Sequence, residues 1–298
     1  MKICGRDLKV QGRLLKIGQI DGEGFEFVQD PEAAIESIRS LGARVDLFTF
    51  MQKVTETSPK YSYPMEWGNF AALQISTFEN WWKHQVDGKT RNMVRRAEKK
   101  GLLVREVPFD HNLVRGIWEL YNECPIRQGR PFPHYGKDIE TVRQMSATFL
   151  ETSVFLGAFL DDTLIGFAKL TCDASQTQAG IMHILSMVEH RDKAPTNALI
   201  AQAVRTCDER AIPYLVYSTF TYGKKRKDSL SDFKERNGFH RVNVPRYFVP
   251  LTRFGWIALR LGLHRGFLNQ LPEPLVTKLR NLRSEWYSRK PHSQAEAL

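Results

Sequence analysis

Cysteine is scarce in this chain of 298 residues: only Cys4, Cys124, Cys172 and Cys207 occur. They lie far apart and form no Cys-x-x-Cys pair, which argues against a disulfide framework and against a cysteine metal site. Long apolar runs are lacking too. No stretch approaches the roughly 18 residues of a membrane-spanning helix, and the opening Met1-Lys-Ile-Cys-Gly-Arg-Asp7 has no apolar core of the kind a secretory leader needs. Low-complexity tracts and repeats of solenoid period are also absent. These absences predict a soluble chain in a reducing, cytoplasmic compartment, with no metal and no tightly bound cofactor. What remains is ordinary globular composition, 42% hydrophobic and 26% charged, enough for two modest domains or one with extensions. Acidic residues are outnumbered: 43 Lys+Arg against 33 Asp+Glu leave a net charge of +10. Such a balance suits an anionic partner, whether RNA, the phosphates of a CoA-type ligand or a lipid surface.

The positive charge is concentrated in two places. Between Lys83 and Arg105 stand eight basic residues and two acidic ones. Met93, Val94 and Ala97 share a helical stripe there and Gly101 supplies a stop, so 78–101 is expected as a basic amphipathic helix. It is either a solvated surface face or a phosphate cradle. From Arg253 to Lys290 there are again eight basic and two acidic residues, mixed with Phe254, Trp256, Ile257, Leu275, Leu279 and Leu282. That pattern predicts a basic amphipathic helical tail over 251–298, docked on its own domain or in peripheral contact with an anionic membrane.

Between these segments the chain alternates strands and helices. Arg13–Ile20 reads as a strand, Asp30-Pro31 as the start of a helix with Ala33, Ile35, Ile38 and Leu41 inward, and Val45–Phe50 and Asn69–Ile75 as strands. Leu102–Val107 is a further strand, and Asn112–Tyr121 a helix burying Leu113, Ile117, Leu120 and Tyr121. Cys124–Gly136, with three prolines and two glycines, is expected as an irregular loop projecting Arg127, Arg130, His134 and Tyr135, either as a substrate lid or as a plain connector. A hairpin follows, Val154–Leu160 and Thr163–Thr171 around Asp161-Asp162. Then come a strand at Gly180–Val188, a helix at Thr196–Arg210, a strand at Tyr214–Phe220, a capped helix at Ser229–Arg236 closed by Gly238, and a strand at His240–Val244. The order is β-β-β-α-β-α-β, an α/β (mixed α+β) pattern.

That order, closing in Phe233-Lys234-x-x-x-Gly238-Phe239, resembles the GNAT acyltransferase superfamily. Arg91-Asn-Met-Val-Arg95-Arg96-Ala-Glu-Lys-Lys-Gly101 is more specifically similar to the basic helix of its FemAB-like branch, which includes aminoacyl-tRNA-dependent peptidoglycan transferases. The likeness covers about residues 80–250. It implies a central mixed, mainly antiparallel sheet flanked by helices, a catalytic domain at 79–250, and a partial GNAT-like segment at 1–78 packed against it. It also implies transfer of an acyl or aminoacyl group from acyl-CoA or aminoacyl-tRNA to an amine or hydroxyl, such as that of a cell-envelope precursor. Lys234 would be catalytic, supplying positive charge at the acyl carbonyl or leaving group. Phe233, Arg191, Lys193, Thr196, Asn197, Arg95 and Arg96 would bind the donor, and Arg127, Arg130, His134 and Tyr135 the acceptor.

One departure bears on the donor. CoA-binding GNAT proteins carry a glycine-rich turn before the central helix so that backbone amides can approach a pyrophosphate. Arg191-Asp-Lys-Ala-Pro-Thr-Asn197 has no glycine, and Pro195 removes one amide. The residues alone leave a second function open, a non-catalytic GNAT-like module that binds RNA or an anionic membrane surface.

Overall fold

Alternating apolar residues build one long sheet, described by a computed structural model for residues 2–221 and 229–265. Strands β1 (Lys2–Ile3), β2 (Arg6–Gln11) and β3 (Ile17–Ile20) lead into helix α1 (Pro31–Ser40) and strands β4 (Leu47–Met51) and β5 (Met65–Gln74). Asp30 caps α1 by accepting a hydrogen bond from the Ala33 amide at 3.0 Å, with Pro31 at the first helical position. Ala34, Ile35 and Ile38 are buried, whereas Leu41 lies past the last helical residue and is exposed.

The helix expected over 78–101 is interrupted. A short turn, α2 (Phe78–Asn80), widens into a π turn at Trp81–Gln85, and Asp87 then caps a new helix, α3 (Gly88–Lys99), by accepting from the Lys89 amide at 2.8 Å. Trp81 anchors the break: it is fully buried and its indole N–H donates to the Asn237 carbonyl at 3.0 Å. The buried stripe of α3 is Thr90, Val94 and Ala97, while Met93 faces outward.

Strand β6 (Leu102–Val107) and helix α4 (His111–Asn122) follow, with Leu113, Ile117, Leu120 and Tyr121 inward as their spacing predicts. The segment expected to be irregular forms a small hairpin, β7 (Ile126–Arg127) with β8 (Arg130–Pro131), because Gln128 and Gly129 both adopt positive φ between them. Then come α5 (Ile139–Ser146), β9 (Ser153–Leu160), β10 (Thr163–Cys172), β11 (Ala179–Ser186), α6 (Pro195–Glu209), β12 (Tyr214–Val216), α7 (Ser229–Arg236), β13 (His240–Pro250) and α8 (Arg253–Arg260). Strand β12 is shorter than the apolar run suggested and β13 twice as long. The tail's Leu275, Leu279 and Leu282 lie outside the described residues.

The sheet order is β1-β2-β3-β4-β13-β5-β12-β11-β10-β9-β6. Neighbours are antiparallel except at β3 with β4 and β11 with β12, the two places where a helix, α1 or α6, crosses between them. Helices α3 and α6 cover one face around Trp81, Leu199, Ile200, Val204 and Phe239. Helices α4 and α5 cover the other around Ile117, Leu120, Val142, Phe155 and Phe167. No helix among the described residues is long and apolar enough to cross a membrane.

Candidate functional site

The site is organised by a strand pair that does not stay together. Strands β11 and β12 are joined only at Ala179 with Leu215 and Gly180 with Val216. Just beyond, Met182 is an extra residue in the ladder with β10, where Lys169 faces His183 but Leu170 faces Ile181. Such a bulge bends its strand. The end of β11 then follows β10, with the Met187 amide bonded to Ile165 at 2.8 Å, while the chain after β12 follows β5, with the Ala71 amide bonded to Ser218 at 2.8 Å. A wedge therefore opens between Ile184–Ser186 and Tyr217–Thr219, at the carboxyl ends of two parallel strands, where open α/β sheets place their ligands.

The amino end of α6 lies beside this wedge. Arg191–Lys193 form a tight turn and Ala194 takes a left-handed conformation, φ +48°, where the superfamily pattern has glycine. The Thr196 and Ser186 hydroxyls bond at 3.0 Å, and Asn197 donates to the Asn237 side chain at 3.4 Å. Arg191 is exposed. Lys193 is engaged with the His190 ring at 3.2 Å and with Asp192 at 3.6 Å.

Phe233 and Lys234 diverge from α7. Phe233 lines a cavity of about 300 Å³ together with Lys89, Met93, Asn197 and Asp232. Lys234 is 1% exposed and donates to the Thr219 carbonyl at 2.6 Å, its ammonium 4.8 Å from the centre of the Tyr217 ring. Phe233 meets the same ring edge-on at 6.4 Å. Both residues thus reach the lip of the wedge through Tyr217. Arg95 belongs to a different cavity, of about 380 Å³, where it lies 5.6 Å over the Trp82 ring, and Arg96 is exposed on α3.

On the opposite face the four loop residues part company. Arg130 and Tyr135 are exposed. Arg127 turns inward and donates through its two terminal nitrogens to the carbonyls of Ser186 (2.8 Å) and Leu120 (2.9 Å) and to the Glu123 carboxylate (2.8 Å). His134 stacks on Tyr121 at 4.6 Å with a buried Nδ1 that has no partner among the described residues. Burial, aided by Lys137, lowers its pKa.

Three residues here escape a reading of the sequence. His183, on the bulged part of β11, is pushed down to about 4 by burial, with Lys169 and His134 adding in the same direction. Lys169 is itself held at about 8 by burial, its ammonium bonded to the Ser146 carbonyl at 2.9 Å and to Thr148. A lysine inside the apolar run Gly166-Phe-Ala-Lys-Leu170 is the signal that could have marked this spot. The third, Glu123, carries no such signal. Its carboxylate accepts from the amides of Val188 (2.9 Å) and Glu189 (3.0 Å), a pairing only the fold reveals.

No family model matches this sequence, and no curated protein matches it. Solved structures do. L-PGS from Bacillus licheniformis superposes with a TM-score of 0.54 at 12% identity, over 85% of each chain. The C-terminal domain of a protein assigned as a lysylphosphatidylglycerol synthetase from Agrobacterium fabrum gives 0.53 at 14% identity, over 85% of this chain and 82% of that one. FemX gives 0.49 at 14% identity, over 74% and 69%. The likeness to the first two is one of fold: a large mixed sheet flanked by helices. In this sheet β11 and β12 are the diverging parallel strands, α6 is the helix that follows the turn after β11, and α7 is the last crossover.

Proposed function

We propose that this chain is an acyltransferase that moves an acyl or aminoacyl group from an activated donor, acyl-CoA or aminoacyl-tRNA in class, to an amine or hydroxyl. The observation that carries this reading is the wedge between β11 and β12, with α6 starting beside it and Lys234 at its lip. An acyl carbonyl seated there would meet a preformed positive charge as its oxygen becomes anionic, held in place by the Thr219 carbonyl and the Tyr217 ring. The two buried-side imidazoles, His183 and His134, lie across the sheet on the face expected to take the acceptor. Both are neutral near pH 7 and so keep a lone pair able to accept a hydrogen bond from an amine or hydroxyl. One structural neighbour bears the name of a lysylphosphatidylglycerol synthetase, which supports an aminoacyl group as cargo. The basic face of α3 and the exposed Phe254, Trp256 and Ile257 of α8 support a phosphate-rich donor and peripheral contact with an anionic membrane.

The test is transfer of labelled acyl groups from charged tRNA and from acyl-CoA by the purified chain. Lys234→Ala should lower turnover by roughly a hundredfold or more, the scale of one lost oxyanion partner, with an unchanged circular dichroism spectrum. An unaltered rate would remove Lys234 from the chemistry, and no transfer from either donor would end the transferase reading.

A further inference from the structure

The turn between β11 and α6 is where an anionic donor would be expected to find backbone amides, yet the fold has already used most of them. Met187 N–H bonds to the Ile165 carbonyl. The amides of Val188 and Glu189 converge on the two oxygens of one carboxylate, that of Glu123, at 2.9 and 3.0 Å. Arg191, Lys193 and Ala194 donate within the turn, to Val188, His190 and Arg191, and Asn197 and Ala198 both donate to the Ala194 carbonyl. Pro195 has no amide. A diphosphate needs several convergent N–H groups pointing outward, and this segment spends most of its own on the protein.

Glu123 is the centre of that closure. It caps the end of α4, on the far side of the sheet from α6, and its side chain is only 18% exposed. Arg127, one helical turn on and 10% exposed, bonds to the same carboxylate and reaches the Ser186 carbonyl, so a single ion pair binds the last residues of β11 to α4. A carboxylate held by two adjacent amides and a guanidinium is the arrangement proteins use for a bound phosphate. Here the anion is the protein's own.

We propose that Glu123 is a specificity-determining residue: its carboxylate takes the place of a donor phosphate at the end of β11, so the chain is closed to donors recognised through a diphosphate and takes an acyl group on a carrier without one. Arg127 is the positioning residue that holds Glu123 there. The consequence for the donor rests on the transferase reading above; the closure of the turn does not.

Titration calorimetry with CoA and with inorganic pyrophosphate tests this on the full chain. The native protein should show no saturable binding of either at about 1 mM, the weak end of specific association. Glu123→Gln, which keeps the shape but removes the charge, and Glu123→Ala should each gain affinity for pyrophosphate by roughly tenfold, the scale of one charge-assisted hydrogen bond. Saturable CoA binding by the native protein overturns the proposal, and so does the absence of any gain in both variants. Hydrogen exchange on the native chain needs no variant: the Val188 and Glu189 amides should exchange slowly, and free exchange at both also overturns it. Acyl transfer from a CoA thioester would sink the proposal while leaving the transferase standing. A closed turn with no transfer from any donor would do the reverse.

Discussion

At the scale of single residues, the chemistry depends on which polar groups the fold buries. Lys234 and Lys169 are fully buried and His183 is half-buried, and only Lys234 could be nominated from sequence, because its neighbours matched a known ending. His183 makes a prediction that needs no substrate. Its folded pKa, about 4, lies below the ordinary histidine value of 6.5, so between those values the unfolded chain binds more protons than the native one. Stability is then independent of this group above pH 6.5 and falls as the pH drops from 6.5 to 4, by up to about 3 kcal/mol. His183→Gln should flatten that part of the profile in thermal melts recorded from pH 4 to 7. A profile as steep as the native one would mean that His183 titrates normally.

At the scale of elements, turn geometry decides how the site is held. Ala194 stands at φ +48° and Gly238 at φ +87°, two left-handed positions flanking α6 and α7. Ala194→Gly should stabilise the chain by roughly 0.5 kcal/mol, the relief of the left-handed penalty less the added freedom of the unfolded glycine. Gly238→Ala should cost about 1–2 kcal/mol, since its new Cβ would also stand 3.1 Å from the Trp81 indole nitrogen. Urea denaturation measures both, and equal signs would refute the conformational account. Elements with strong local signals were legible in this way: the Asp30-Pro31 cap of α1, the hairpin at Asp161-Asp162, the glycine stop after α7. Three were not. Strand β2, Arg-Asp-Leu-Lys-Val-Gln, buries only Leu8; α5 buries only Val142 and Ser146; and the break before α3 is imposed by the long-range bond from Trp81 to Asn237. The bulge at Met182 and the Glu123 strap depend on pairings more than sixty residues apart or on register, which no local pattern encodes.

At the scale of the whole molecule, the decisive feature is an exchange of strands. The run β3-α1-β4-β5 in the first part of the chain parallels β11-α6-β12-α7-β13 in the second, yet the last strands have traded places: β13 lies beside β4, and β5 beside β12. Strand β5 pairs with β13 from Met65 to Ala72 and with β12 from Ala72 to Gln74, so the strand that flanks the wedge comes from residues before 78. The same early segment sends Lys53 to Asp173, whose carboxyl is held at about 2 despite burial by that lysine and by bonds from Ser175, Gln178 and Thr177. A chain of residues 79–298 would therefore leave both β12 and β13 with unpaired edges and a face of buried apolar residues open to water, an aggregation-prone state. It should fail to fold alone, and co-expression with residues 1–78 should recover a soluble complex, because the missing strand re-enters through main-chain pairing. The full chain should in turn lose β4 and β12 together, in one transition by calorimetry and by hydrogen exchange. If residues 79–298 alone melted cooperatively near the temperature of the full chain, the wedge would not need its borrowed strand, and the two parts would be independent units joined by a sheet rather than one cooperative fold.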